Sequence, residues 1–341
     1  HLRSVELTWR SLSSFSSLLF ELSPPTNLKL LVESGSSYGT HSAHSKKPDN
    51  SCRLQSFSPN AKAPFHLTPY LMPSIYQPKT AVILAAGLGL RLRSVTGEVP
   101  KGLLEIQGSG LLERSIQLLS SCGITKFFVV TGFQHQMLEN RLREQVRGIH
   151  LNFVHNQQYA SSGSMESLAT MKGQVQEDFL LLESDLIYER RALELLLEAG
   201  QPDTVLTSGQ TNSKDEVWIY GEPKSGKMNS LETGRIRYIN KKPSAQYALR
   251  GELVGISWLS ANFFGAMCDY HAANKPHTLQ YHYEENISDL SAEYEISYLK
   301  IPDLIWAEID MESHYRRVLH EVYPRIQARE NEEIRPELAY S

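Results

Sequence analysis

Cysteine is scarce: Cys52, Cys122 and Cys268 are the only three in 341 residues, too few and too scattered for a disulfide framework or a zinc knuckle. Such usage suits a reducing compartment. No run reaches the roughly 18 apolar residues that a bilayer-spanning helix needs, so an integral membrane protein is not expected. A basic surplus is also missing. Lys and Arg number 34 against 38 Asp and Glu, a formal net charge of −4, so nucleic acid is not an expected partner. What remains is ordinary for a globular chain: 41% hydrophobic residues supply surface for one large core or two smaller ones.

Residues 1–71 stand apart. They are rich in serine, hold no lasting hydrophobic period, and carry seven Lys and Arg against four Asp and Glu, which leaves 27 against 34 for the rest. Two readings fit. One is an organellar transit peptide. The other is upstream sequence translated with the open frame, with Met72, the first methionine, as the natural start. Both predict a mostly disordered leader ahead of a folded domain over 72–341. The domain would be cytoplasmic under the second reading and organellar under the first.

From Lys79 onward, short apolar runs alternate with amphipathic stretches. Strands are expected at Thr80–Ala85, Lys126–Thr131, His150–Val154, Phe179–Glu183, Thr204–Thr207 and Glu216–Tyr220. Helices are expected at Leu111–Cys122, Ser164–Met171 and Arg190–Glu198, the first closed by Gly123. This alternation predicts an α/β, Rossmann-like doubly wound and mostly parallel sheet with a small appended subregion. No internal repeat is visible.

The most informative stretch is Val82–Lys101, VILAAGLGLRLRSVTGEVPK. A buried strand runs into Ala86, Gly87, Leu88 and Gly89, a stretch whose alanine and glycines let backbone N–H groups approach a phosphate. Arg91 adds a planar cation suited to phosphate oxygens, and Lys101 returns a second one after a glycine-containing loop. The string lacks the GxxxxGK[ST] of a Walker loop and the third glycine of a dinucleotide fingerprint.

As a whole it resembles the LAAGxGxR…PK signature of the nucleotidyltransferase superfamily. That resemblance implies a nucleoside triphosphate over Leu84, Ala85, Ala86, Gly87 and Gly89, with Arg91 and Lys101 as the catalytic cations and Lys101 at the α-phosphate. Later segments match in order. Val129–Phe133 resembles the family's VTGY element and brings Gly132 near the base. Asn156 and the SSGSMES stretch, with Ser162 and Ser164, stand where base and ribose are closed over. Asp185 in LLLESDLIY and Asp310 in WAEID stand where the family holds Mg²⁺; an acid at a strand end also suits a helix cap, and one beside Arg316 suits the surface. Glu183 is open between a water-mediated ligand and a partner for a cation. Within the superfamily, SKDEVWIY, GELVGISWLS and W-x-E-I-D-x-x-x-H resemble 2-aminoethylphosphonate cytidylyltransferase, with phosphocholine cytidylyltransferase next.

The implied reaction moves CMP from CTP to the oxygen of a small phosphonate or phosphate and releases pyrophosphate. Sugar-1-phosphate transfer and silent nucleotide binding are the alternatives. An acceptor amine calls for carboxylates, whereas a quaternary ammonium calls for an aromatic cage. Asp215, Glu216, Glu252 and Glu295 are the candidate acids. Val217 replaces an aromatic of the phosphocholine enzymes and shifts Trp218 to the other strand face, which favours an amine. Arg93 and Lys241-Lys242 read as solvated, His135, His155 and His282 show no ligand spacing, and the Asn286-Ile-Ser288 sequon reads as chance. The sequence sets no oligomeric state.

Overall fold

In the structure, a computed structural model, residues 76–228 and 231–338 are described; the expected leader and its boundary at Met72 lie outside the described residues. β1 (Thr80–Ala85) is buried along its length because its side chains divide between two cores. Ala81, Ile83 and Ala85 join one, and Val82 and Leu84 the other. The continuous apolar run is thus a central strand covered on both faces.

A 3-10 turn (Leu90–Leu92), α1 (Arg93–Thr96), a second 3-10 turn (Lys101–Leu103) and the hairpin of β2 (Glu105–Ile106) and β3 (Ser109–Gly110) follow. Strand and helix then alternate through α2 (Leu111–Ser121), β4 (Lys126–Thr131), α3 (His135–Gln145), β5 (Leu151–His155), α4 (Ser164–Ala169) and β6 (Phe179–Glu183). β7 (Leu186–Tyr188), α5 (Arg191–Ala199) and β8 (Thr204–Ser208) lead to three strands with no helix between them: β9 (Trp218–Met228), β10 (Leu231–Asn240) and β11 (Ala248–Leu259). The remainder is α6 (Ala261–Asn274), α7 (Tyr283–Leu290), β12 (Ser297–Ile301), β13 (Trp306–Glu308), α8 (Glu312–Arg317), a π-helical turn (Val318–Val322) and α9 (Tyr323–Leu338). The strand expected from Glu216 therefore starts at Trp218 and runs on as a hairpin arm.

The main sheet runs β5-β4-β1-β6-β11-β8-β12-β10-β9. It is mixed rather than mostly parallel. β1 pairs parallel with β4 and β6, β4 with β5, and β8 with β12; the pairings of β11 with β6, β8 and β9, and of β10 with β9 and β12, are antiparallel. The reason lies in the connections: β9, β10 and β11 follow one another without the helical crossover that parallel pairing needs. Because β9 also pairs with the first half of β11, this end of the sheet curls back on itself, and Glu252 stands opposite Ser208 on one side and Trp218 on the other.

A small second sheet sets the functional cleft. β13 pairs antiparallel with β7, placing Glu308 opposite Leu186, and Ile309 donates its N–H to the Asp185 carbonyl at 3.1 Å. Asp310 is thereby carried alongside Asp185. Among the described residues, no helix is long and apolar enough to cross a membrane.

Candidate active site

A cleft of about 550 Å³ opens at the C-terminal ends of β1 and β6, where open α/β sheets ordinarily bind ligands. The glycine turn forms one wall. Gly89 has φ +57°, a left-handed conformation that glycine adopts without a Cβ clash, and it starts the turn that carries Arg91. Gly87 lines the cleft, and a Cβ there would meet nothing within 4 Å. Bare backbone thus faces the cleft at this point.

Beside the turn, where a Cβ on Gly89 would meet Lys101 Cβ at 3.6 Å, Lys101 Nζ lies 2.5 Å from Asp185 Oδ2 and 2.6 Å from Asp310 Oδ1, with 13% of its side chain exposed. Burial works against its charge, but the two carboxylates outweigh burial and hold the ammonium well above its usual pKa. The reciprocal holds for Asp310. Burial would raise it, yet Lys101 and Arg91 keep its carboxyl well below the usual range. Arg91 spans the cleft, 2.6 Å from Asp215 and 3.1 Å from Asp310.

Behind Lys101 lies a group of acids. Glu183, Asp185 and Glu308 offer oxygens within 4.8 Å of one another, and Asp185 Oδ1 is buried without a hydrogen-bond partner. Burial, with Asp185 and Glu284 close by, pushes Glu183 up to about 8, while Tyr283 Oη donates to it at 2.8 Å. Burial, then Asp185 and Glu183, raises Glu308 as well. Closely spaced hard oxygens with one left unpaired fit a divalent cation such as Mg²⁺. Glu183 thus belongs to this group, with the phenol of Tyr283 as its hydrogen-bond donor.

Leu84, Ala85, Ala86, Gly87, Gly89, Ser162 and Ser164 line the cleft with Arg91, Lys101, Asp185, Asp215, Glu216, Glu252 and Asp310. Gly132 and Asn156 stand behind the wall instead. A Cβ on Gly132 would meet the Ala86 carbonyl oxygen at 2.4 Å and Tyr159 Cβ at 2.6 Å, so the glycine permits close packing. Asn156 Nδ2 donates to Ser167 and Ser162 Oγ at 3.0 and 3.4 Å, and its Oδ1 accepts from Gln158 N at 2.8 Å, fixing the 156–167 segment.

Glu295 is not in the cleft. It precedes the N-terminal end of β12, whereas the cleft lies toward the C-terminal end of the parallel β8; it is exposed, 3.9 Å from Lys224. Glu252 reaches the cleft, but its carboxylate accepts from Thr211 N at 2.6 Å and Thr211 Oγ1 at 2.8 Å, so both oxygens serve the 209–217 loop. Lys241, expected to be solvated, pairs with Asp215 and lines the cleft. Burial would raise Asp215, but Lys241 and Arg91 pull it below its usual pKa. Val217 lines the cleft, and Trp218 does not.

Sequence reading missed Glu308, Glu284 and Lys241 as cleft residues. Glu308 left a trace. Trp306, Glu308 and Asp310 alternate along one extended segment, and all three face the cleft. Lys241 and Glu284 left none, because their neighbours come from distant segments.

Residues 81–233 match the family described as the MobA-like NTP transferase domain. A 108-residue stretch is 32% identical to the UTP–glucose-1-phosphate uridylyltransferase of Haloferax volcanii, covering 32% of this chain and 44% of that protein. Over 131 residues the chain is 28% identical to the CMP-5'-(3-aminopropyl)phosphonate synthase of Streptomyces rubellomurinus, covering 38% of this chain and 21% of that protein. The matches thus span less than half the length of either relative. Among solved structures, the inositol-1-phosphate CTP transferase from T. maritima has the same fold, with a TM-score of 0.60 at 19% identity over 74% of this chain and 98% of that one. Residues 81–233 are thus similar to the MobA-like NTP transferase domain, and the fold is that of a solved nucleotidyltransferase.

Proposed function

We propose that this chain transfers a cytidylyl group from CTP to 2-aminoethylphosphonate. A phosphonate oxygen bonds to the α-phosphorus, the bond to the β-phosphate bridging oxygen breaks, and pyrophosphate leaves. The observation that carries nucleotidyl transfer is Lys101, held between Asp185 and Asp310 beside the glycine turn. The nucleophile is already an anion, so the demand is positioning and charge neutralisation rather than a strong base. Lys101 stabilises charge on the α-phosphoryl oxygens, while Arg91 and the backbone of Ala86–Gly89 hold the outer phosphates. Mg²⁺, for which Asp185, Asp310, Glu183 and Glu308 are the candidate ligands, would supply further neutralisation of phosphoryl charge.

The acceptor reading rests on charge and on one relative. Eight acidic residues line the cleft against Arg91, Lys101 and Lys241, and Val217 faces it where a choline cage would need a ring. A primary ammonium suits that lining. The relative named for a CMP-aminopropylphosphonate supports both the cytidine and an aminoalkylphosphonate.

The test is pyrophosphate release with Mg²⁺, each of the four nucleoside triphosphates, and 2-aminoethylphosphonate, phosphocholine, inositol 1-phosphate or glucose 1-phosphate. Preferred turnover of CTP with the aminophosphonate is expected. Turnover confined to sugar phosphates overturns the acceptor, and none with any pair overturns the transfer.

A further inference from the structure

His314 is 4% exposed, and its ring bridges two parts of the cleft wall. The backbone N–H of Asp310 donates to Nδ1 at 3.3 Å, and Nε2 lies 3.0 Å from the Ser213 carbonyl oxygen. A backbone amide can only donate, so Nδ1 presents its lone pair and Nε2 carries the proton given to Ser213. The neutral Nε2–H ring thus joins the segment bearing Asp310 to the 209–217 loop between β8 and β9.

That loop carries Asp215 and Glu216 into the cleft, and its backbone is unusual. Asn212 and Lys214 have φ of +59° and +73°, conformations that persist where surroundings hold them. Several contacts hold the loop in that conformation. Thr211 is gripped by Glu252, and its carbonyl accepts from Arg317 Nη1 at 3.0 Å. Ser213 Oγ accepts from Asp215 N at 3.3 Å, so Ser213 connects His314 directly to the acidic residue. Arg91, bonded to both Asp215 and Asp310, bridges the same gap from the nucleotide side.

We infer that His314 is a positioning residue that sets the spacing between Asp310 at the transfer centre and Asp215 in the acceptor loop. This gives the last residue of W-x-E-I-D-x-x-x-H a role. Its kinetic consequence rests on the transfer proposed above.

Asn and Gln separate the two halves of the ring. His314→Asn keeps an amide near Nδ1 for the Asp310 N–H and cannot reach Ser213. His314→Gln places its amide near Nε2 and gives up Asp310. In the full chain, His314→Asn is expected to raise the aminophosphonate KM about three- to tenfold, the worth of one hydrogen bond, with the CTP KM unchanged. His314→Gln restores the aminophosphonate KM and lowers kcat. Equal shifts of both KM values in the two variants, or none, overturn the inference.

Hydrogen exchange reads the same coupling without turnover. Exchange across 209–217 should quicken in His314→Asn, less so in His314→Gln, with β1 unchanged. No change at 209–217 in His314→Asn overturns the positioning role. A changed loop in a chain that releases no pyrophosphate overturns the transfer reading alone.

Discussion

Lys101 and Asp310 lie 209 positions apart in the chain and meet at 2.6 Å. Neither is placed by its immediate neighbours alone. The Lys101 turn packs closely on α2, where a Cβ on Gly102 would come within 2.5 Å of Leu112 Cδ1. Asp310 is delivered by the pairing of β13 with β7. Two unrelated packing events thus define one ion pair, and Asp185 shares it.

Lys101→Ala removes the cation from between two carboxylates. Turnover should fall at least about 10²-fold, the effect of losing one charge-stabilising donor. Urea unfolding should show a loss of about 3 kcal/mol at neutral pH, because the acids are left facing each other without a shared partner. Pyrophosphate release and the unfolding midpoint check the two effects separately.

Gly87 and Gly89 should respond differently to the same added methyl group. Gly89→Ala forces a Cβ into the left-handed region, at a cost of about 1–2 kcal/mol, and lowers Tm. Gly87→Ala meets no protein atom, so Tm should hold while the methyl intrudes on the phosphate space and raises the CTP KM. Thermal melts beside CTP titrations decide this. Equal Tm losses would contradict the open space at Gly87.

Much of this was legible in the sequence where a local rule governs. Strands β1, β4 and β6 are apolar runs with turn residues behind them, and the glycine signature lies within one continuous segment. The parallel order failed at β9–β11 because strand direction there depends on hairpin connections. Two of the four acceptor acids depart from expectation for a related reason. Glu295 and Glu252 are both carboxylates near the end or middle of a strand, yet one is solvated and the other spent on Thr211. Which end of a strand faces the cleft is a property of topology, and composition carries no trace of it.

Burial pushes Glu252 up to about 6, against the combined pull of its Thr211 hydrogen bonds. The native state therefore keeps this proton at pH values where the unfolded chain, with a carboxyl near its ordinary 4.5, has released it. Its contribution to stability is full below about 4.5 and is lost as pH rises through about 6. Glu252→Gln retains an acceptor for Thr211 N and has no proton to lose. The Tm difference between variant and wild type should therefore shift in the variant's favour by on the order of 2–4 °C between pH 4 and 7. A flat difference would mean that this carboxyl does not titrate in that window.

Asp215 offers the sharpest separation of acceptor recognition from nucleotide binding, because it pairs with Arg91 on one side and Lys241 on the other. Asp215→Asn removes the negative charge and leaves both cations facing the cleft. The KM for 2-aminoethylphosphonate should rise about 10- to 100-fold, the worth of one charge-assisted hydrogen bond to an ammonium. Ethylphosphonate, which has no amine, should keep its KM. The CTP KM should fall, since Arg91 no longer gives up an acid to meet the triphosphate. Steady-state kinetics with the two phosphonates make the comparison within one variant. Equal shifts for both acceptors would mean that Asp215 acts by holding Arg91 in place, and that the ammonium is read by other cleft acids such as Glu216 or Glu284.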